Sequence, residues 1–300
     1  MSEHVRVVEV SPRDGLQNEK AIVPSAIKIE LIERLAACGY DTVEATSFVS
    51  PKWVPQLADA ETVLAGLTRK PGVRYPVLVP NLQGYRRAHA AGASDIAVFT
   101  AASEAFNHRN VNASIDESIA RFEPVLAQAR VDGVRVRGYV STVLGCPYQG
   151  EVPVADVVRV AAHLFELGCA EISLGDTIGV GTPGRARAML RAVAAATPMS
   201  ALAVHFHDTY GQALANILAC LDEGVRVVDA AVAGTGGCPY AHGASGNVAS
   251  EDVIYMLQGM GLETGVDLDA LVATGHWLAM QLGRPTGSRV GRARAPEAVQ

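Results

Sequence analysis

The strongest constraint on this chain is a rhythm. Eight short β-rich runs, at 5–10, 42–46, 75–79, 95–100, 134–141, 171–174, 201–206 and 225–232, alternate with longer segments of helical periodicity. The segments at 25–37, 115–129, 155–167 and 185–196 are long enough to return the chain to the start of a parallel neighbour, so the repeating unit is βα. Eight such units without a linker fit a closed (β/α)8 TIM barrel of the α/β class better than an open doubly wound sheet, which enforces no strand number. A further helical segment at 267–282 follows, then a stretch of Pro, Gly and Arg. The expected organisation is one barrel domain with a C-terminal helix over 1–283 and a disordered tail over 284–300.

Composition removes several alternatives. Twenty-five Lys and Arg against 31 Asp and Glu give a net charge of −6, and no basic run is present to track a phosphate backbone, so no nucleic-acid partner is expected. No apolar stretch reaches the roughly 18 residues of a membrane span, and 1–4 lead into an apolar run without a signal-like leader, so the expected location is cytoplasmic, away from the membrane. Five cysteines without a C-x-x-C pair argue for free thiols, against a disulfide framework or a structural zinc site.

A barrel makes a sharp demand: functional residues belong at the C-terminal ends of strands or in the loops that follow. Arg13 and Asp14 follow the first run, Glu44 ends the second, Asp176 follows the sixth, and His205 and His207 end the seventh. After the eighth come Gly234, Gly236, Gly237 and Cys238, then 243–247. His205 and His207, two apart on a strand, share one face. An isolated H-x-H is more often a pair of hydrogen-bonded core histidines, but a closed barrel brings the seventh, eighth and first strands into one sector. Asp14 and Asn247 can join the histidines there. Two imidazoles, a carboxylate and an amide oxygen suit Mg2+ or Mn2+ better than zinc. Asp208 beside the pair reads first as a helix cap.

Arg13 next to Asp14 is either an ordinary ion pair or, at a barrel mouth, a guanidinium placed to hold a developing oxyanion. Glu44 is either a structural partner of Arg13 or part of the chemistry. Cys238 sits among glycines beside the metal sector. The tetrapeptide Gly-Cys-Pro-Tyr also surrounds Cys146, so the string is uninformative and barrel position separates the two thiols.

The blocks 11–19 (Ser-Pro-Arg-Asp-Gly-Leu-Gln-Asn-Glu) and 44–56 strongly resemble the 3-hydroxy-3-methylglutaryl-CoA lyase family, and so do 143–148, 171–183, 205–216 and 236–247. The resemblance runs to about residue 265, whereas the wider lyase and Claisen-condensing superfamily shares mainly R-D-G-x-Q and H-x-H. It implies a (β/α)8 barrel that uses a divalent cation to cleave 3-hydroxy-3-methylglutaryl-CoA to acetoacetate and acetyl-CoA, chemistry of leucine and ketone-body metabolism. By motif position, Asp14, His205, His207 and Asn247 would ligate the metal, Arg13 would anchor substrate and stabilise charge, and Cys238 would be the catalytic thiol. Gln17 and Ser47, in the same blocks, are expected to bind substrate, and a homo-oligomer, a dimer, is the expected assembly. Thr235, His242 and Phe206 depart from the family's usual residues. The alternatives are a Claisen-condensing acyltransferase, a lyase for a longer 3-alkyl substrate, and a non-catalytic acyl-CoA-binding barrel.

Overall fold

The computed structural model describes residues 3–237 and 246–294. Its strands are β1 (Arg6–Glu9), β2 (Thr46–Ser47), β3 (Val77–Leu78), β4 (Asp95–Ala101), β5 (Arg135–Ser141), β6 (Glu171–Asp176), β7 (Leu202–Phe206) and β8 (Val227–Ala230), paired in the order β1-β8-β7-β6-β5-β4-β3-β2. Every ladder is parallel. The ring closes where β1 meets the segment leading into β2: the Glu9 N–H donates to the Thr42 carbonyl at 3.1 Å and the Glu44 N–H to the Glu9 carbonyl at 2.8 Å. The result is the (β/α)8 barrel that the rhythm predicts.

The second and third runs form shorter ladders than expected, two residues each. Pro76 has no N–H to give, and only its carbonyl joins the sheet, accepting from the Ala45 N–H at 2.9 Å. The helices start and stop where local chemistry dictates. Helix Ile115–Asp132 opens with a reciprocal Ser114–Glu117 capping box and ends at Gly133, whose φ of 69° suits glycine. Helix Leu268–Gln281, the expected C-terminal addition, is capped by Asp267, which accepts from Asp269 N–H and Ala270 N–H.

The main core lies between sheet and helices, where Val7, Ile96, Val140, Leu174 and Phe206 meet Leu31, Ile119, Val160 and Ile217. Two small apolar clusters stand apart from it, Val8–Val10–Ala203–Val227–Ala231 and Leu78–Ala97–Tyr139. Residues of β1, β5, β7 and β8 alternate between the large cluster and these, so the small clusters fill the barrel interior.

The expectation of a disordered tail fails for 284–294. Helix Arg289–Ala293 packs on the barrel, and Ser288 is fully buried. Asp252 fastens it: its carboxylate accepts from the Ser288 hydroxyl at 2.7 Å and from the N–H groups of Arg289 and Val290 at 3.1 and 2.8 Å. Composition suggested disorder because the anchor lies on a distant helix. Among the described residues no helix is long and apolar enough to cross a membrane.

Candidate active site

β1 runs directly into a π-helical turn, Ser11–Gly15, where the N–H groups of Asp14 and Gly15 both donate to the Val10 carbonyl, at 2.8 and 3.2 Å. Such wide turns occur frequently at functional sites, and this one sets Arg13 and Asp14 at the barrel mouth. It can pack this closely because residue 15 is glycine: a Cβ there would lie 2.3 Å from Thr235 Oγ1. Thr235, one of the departures, is buried and satisfies its own hydroxyl by donating to the Val232 carbonyl at 3.1 Å.

His205 and His207 bracket Phe206, another departure, which turns outward into the main core and so sends both imidazoles the other way. One ligand atom from each of Asp14, His205 and His207 lies within 4.8 Å of the others. Asn247 forms an antiparallel bridge with His207, and its Nδ2 donates to Asp14 Oδ2 at 2.7 Å and to the Thr235 carbonyl at 3.2 Å. All four residues expected at a cation are thus brought together. Nδ1 of His207 is buried without a hydrogen-bond partner among the described residues, an orphaned polar atom that fits a cation ligand. The donor set, nitrogen and oxygen without sulfur, fits a hard or borderline divalent cation.

The electrostatics fit as well. Burial alone would raise Asp14, but the Arg13 guanidinium, the two imidazoles and the Asn247 amide hold it down to about 2, keeping an anionic ligand. Burial and the adjacent His205 pull His207 down to about 4, leaving a neutral imidazole. Burial also acts to lower His205, yet Asp229 and Asp14 outweigh it and its pKa ends above the ordinary value.

Arg13 donates to Asp14 Oδ1 at 2.7 Å, pairs with Glu44 Oε2 at 2.9 Å and lies 5.3 Å over the Tyr139 ring. Glu44 is fully buried beneath it and accepts from the Tyr139 hydroxyl at 3.1 Å. The carboxylate therefore holds Arg13 from below, an arrangement that fits the reading of Glu44 as its structural partner. Asp208 plays the cap-like part, accepting from the Ala213 N–H at 3.0 Å. Asp176 is likewise buried and closes its own loop, accepting from the Gly181 N–H at 2.8 Å.

A cavity of about 1040 Å³ opens over this sector, lined by Arg13, Asp14, Gln17, His205, His207 and, at its outer parts, Ile22, Trp53, Arg109 and Arg121. Gln17, expected to bind substrate, lies on this lining. Ser47 is not among the lining residues: it is buried, with its hydroxyl accepting from the Val49 N–H at 3.2 Å, a local turn contact that does not support a substrate role. Cys146 is buried too, its sulfur accepting from the Ser103 hydroxyl at 3.0 Å and from two backbone N–H groups. Cys238 and His242 lie outside the described residues.

Gly246 gives a local test. Its φ is +83°, and a Cβ would lie 2.1 Å from the Gly236 carbonyl oxygen. Gly246→Ala must push these two backbones apart, and the displacement falls on Asn247. Mn2+ affinity is expected to fall about tenfold or more, read by metal titration with the melting temperature taken alongside. Unchanged affinity would show that Asn247 has no part in holding the ion.

Sequence reading missed a polar belt beneath the site. Arg137 donates to Glu171 at 2.8 Å, to the Tyr139 hydroxyl at 2.8 Å and to Asp229 at 2.6 and 3.1 Å. The signal was present: Arg137 and Tyr139 alternate along β5, and Asp229 interrupts an apolar run, both marks of a polar inner face.

Fold and site together define a (β/α)8-barrel enzyme with a cluster of nitrogen and oxygen donors that could hold a cation at the C-terminal mouth of its strands. Sequence comparison narrows this: the HMGL-like family profile matches residues 4–277, and the chain belongs to that family. A Gallus gallus relative named hydroxymethylglutaryl-CoA lyase, mitochondrial, is 57% identical over 97% of this chain and 98% of its own length. A Rattus norvegicus relative named 3-hydroxy-3-methylglutaryl-CoA lyase, cytoplasmic, is 58% identical over 98% of this chain and 85% of its own. The crystal structure of hydroxymethylglutaryl-CoA lyase from Pseudomonas aeruginosa superposes with a TM-score of 0.97 at 56% identity, covering 99% of each chain.

Proposed function

We infer that this chain is a carbon–carbon lyase that cleaves 3-hydroxy-3-methylglutaryl-CoA to acetoacetate and acetyl-CoA. The observation that carries this reading is the convergence of Asp14, His205 and His207 within 4.8 Å beside the Arg13 guanidinium, in a chain similar along nearly its whole length to lyases of that name. Lyases of this family depend on a divalent metal. Mg2+ or Mn2+ is the proposed ion, with Asp14, His205, His207 and Asn247 as its ligands; bound there, it would polarise the substrate's oxygens as a Lewis acid.

The chain's own residues then divide the work. The 3-hydroxyl proton passes to His205 or Asp14; with Nε2 of His205 turned to the cation and Nδ1 held by Asp229, Asp14, whose oxygens each keep a lone pair after accepting from Arg13 and Asn247, is the open acceptor. As the C3–O pair closes to a ketone, the C2–C3 bond breaks and its electrons move to the thioester oxygen, where Arg13 stabilises the charge. Cys238 delivers a proton to the enolate carbon, a task for which a thiol is a far stronger acid than a hydroxyl. The outer cavity, with Arg109 and Arg121 at its edge, would receive the phosphates of the CoA portion.

Supplied separately with 3-hydroxy-3-methylglutaryl-CoA and with acetyl-CoA plus a 2-oxo acid, the purified protein is expected to turn over only the first, and turnover should stop with a chelator. Condensation without cleavage would transfer the chain to the condensing enzymes. Cys238→Ser is expected to fold and bind metal but lose most turnover, since a serine hydroxyl is a far weaker acid. Cys146→Ser, at a site whose hydrogen bonds a hydroxyl can also accept, should stay active. Near-normal turnover of Cys238→Ser would remove the thiol from the reaction.

A further inference from the structure

Asp229 of β8 and His205 of β7 are register partners, so their side chains project side by side into the barrel. Asp229 Oδ2 lies 3.3 Å from His205 Nδ1 and accepts from the Ser173 hydroxyl at 2.8 Å. Its other oxygen accepts from Arg137 Nη2 at 2.6 Å. Asp229 is 1% exposed, and Arg137 supplies the countercharge that so deeply buried a carboxylate requires.

A neutral imidazole carries one proton on one of two nitrogens, and its hydrogen-bond partners decide which. A carboxylate at Nδ1 holds the proton there and leaves the Nε2 lone pair facing outward. Nε2 of His205 faces Asp14 Oδ2 at 4.0 Å, on the side where the ligand atoms converge. The carboxylate is itself held from several sides, with Arg137 donating to both oxygens and Ser173 to Oδ2. We propose that Asp229 is the positioning residue that fixes the tautomer and ring plane of His205, with Arg137 and Ser173 holding it in place. A mere counter-ion for Arg137 would need no contact with His205.

Asp229→Asn makes the distinction. Arg137 offers only donors, so the amide must turn its carbonyl to the guanidinium and its NH2 towards His205. Nδ1 then has to accept, and the ring proton moves to Nε2. In the metal-free full chain labelled with 15N-histidine, at a pH alkaline enough for the ring to be neutral, two-bond 1H–15N spectra should show His205, assigned by its loss in His205→Gln, protonated at Nδ1, and at Nε2 in Asp229→Asn. Mg2+ affinity by calorimetry should fall roughly ten- to a hundredfold in the variant, the range seen when the outer partner of a ligand histidine is lost. The proposal rests on the reading of this sector as a cation site, but the tautomer is read without metal, so the two can fail separately. Nε2 protonation in the unaltered chain, or unchanged Mg2+ affinity in a folded Asp229→Asn, overturns it. If Asp229→Asn does not fold, the spectrum of the unaltered chain still decides, and Ser173→Ala, which removes one of the donors to Oδ2 of Asp229, should lower Mg2+ affinity a few-fold.

Discussion

Arg13→Gln is expected to lower kcat for 3-hydroxy-3-methylglutaryl-CoA cleavage by roughly a hundred- to a thousandfold, with KM changed only a few-fold, the pattern of an interaction made mainly in the transition state. The guanidinium is 6% exposed, fixed from below by Glu44 and from the side by Asp14, and stacked over Tyr139. It therefore meets developing negative charge without reorganising, and in a buried site such a charge acts more strongly than in water. Glutamine preserves some hydrogen bonding but no charge. It also leaves Glu44 buried without its cation, so the melting temperature should be measured alongside the kinetics; breaking a buried pair can cost about 3–5 kcal/mol. A pure KM effect at normal kcat would recast Arg13 as a substrate anchor.

His207→Ala carries the second large effect. Mn2+ affinity should fall roughly a hundredfold or more, since losing a ligand should cost at least as much as losing the partner of one. Turnover should recover in part at high Mn2+, because Asp14, His205 and Asn247 stay in place. His207 lies beyond the last residue of β7, and its Nδ1 makes no hydrogen bond among the described residues, so the fold loses little. An unchanged titration would remove His207 from the site.

The barrel was legible in the sequence because parallel strands buried on both faces read as apolar runs and each must be followed by a crossover. The convergence of Asp14, His205, His207 and Asn247 was legible because a closed ring makes the last strands neighbours of the first. What stayed hidden depends on contacts between distant elements. The tail over 284–294 is tied down by distant elements, by Asp252 at Ser288, by the Ala233 carbonyl at the Gly287 N–H and by Glu19 at Arg284, and nothing in its composition signals that. The contacts of Asp229 with Arg137 and His205 were hidden similarly, since a strand pattern gives the face of a residue but not its partner across the lumen. Ser47 shows the converse, a residue inside a strongly matching block whose hydroxyl serves a turn.

The central claim is that cleavage depends on a cation held by Asp14, His205, His207 and Asn247, and one paired titration tests it most directly. Metal-free protein is titrated with Mn2+, bound ion is read from water-proton relaxation, and 3-hydroxy-3-methylglutaryl-CoA cleavage is measured on the same samples. One ion per chain is expected, with activity rising in proportion to occupancy and both curves shifting together in His207→Ala. Full cleavage by the metal-free protein, or an activity curve unmoved by His207→Ala, would contradict the claim.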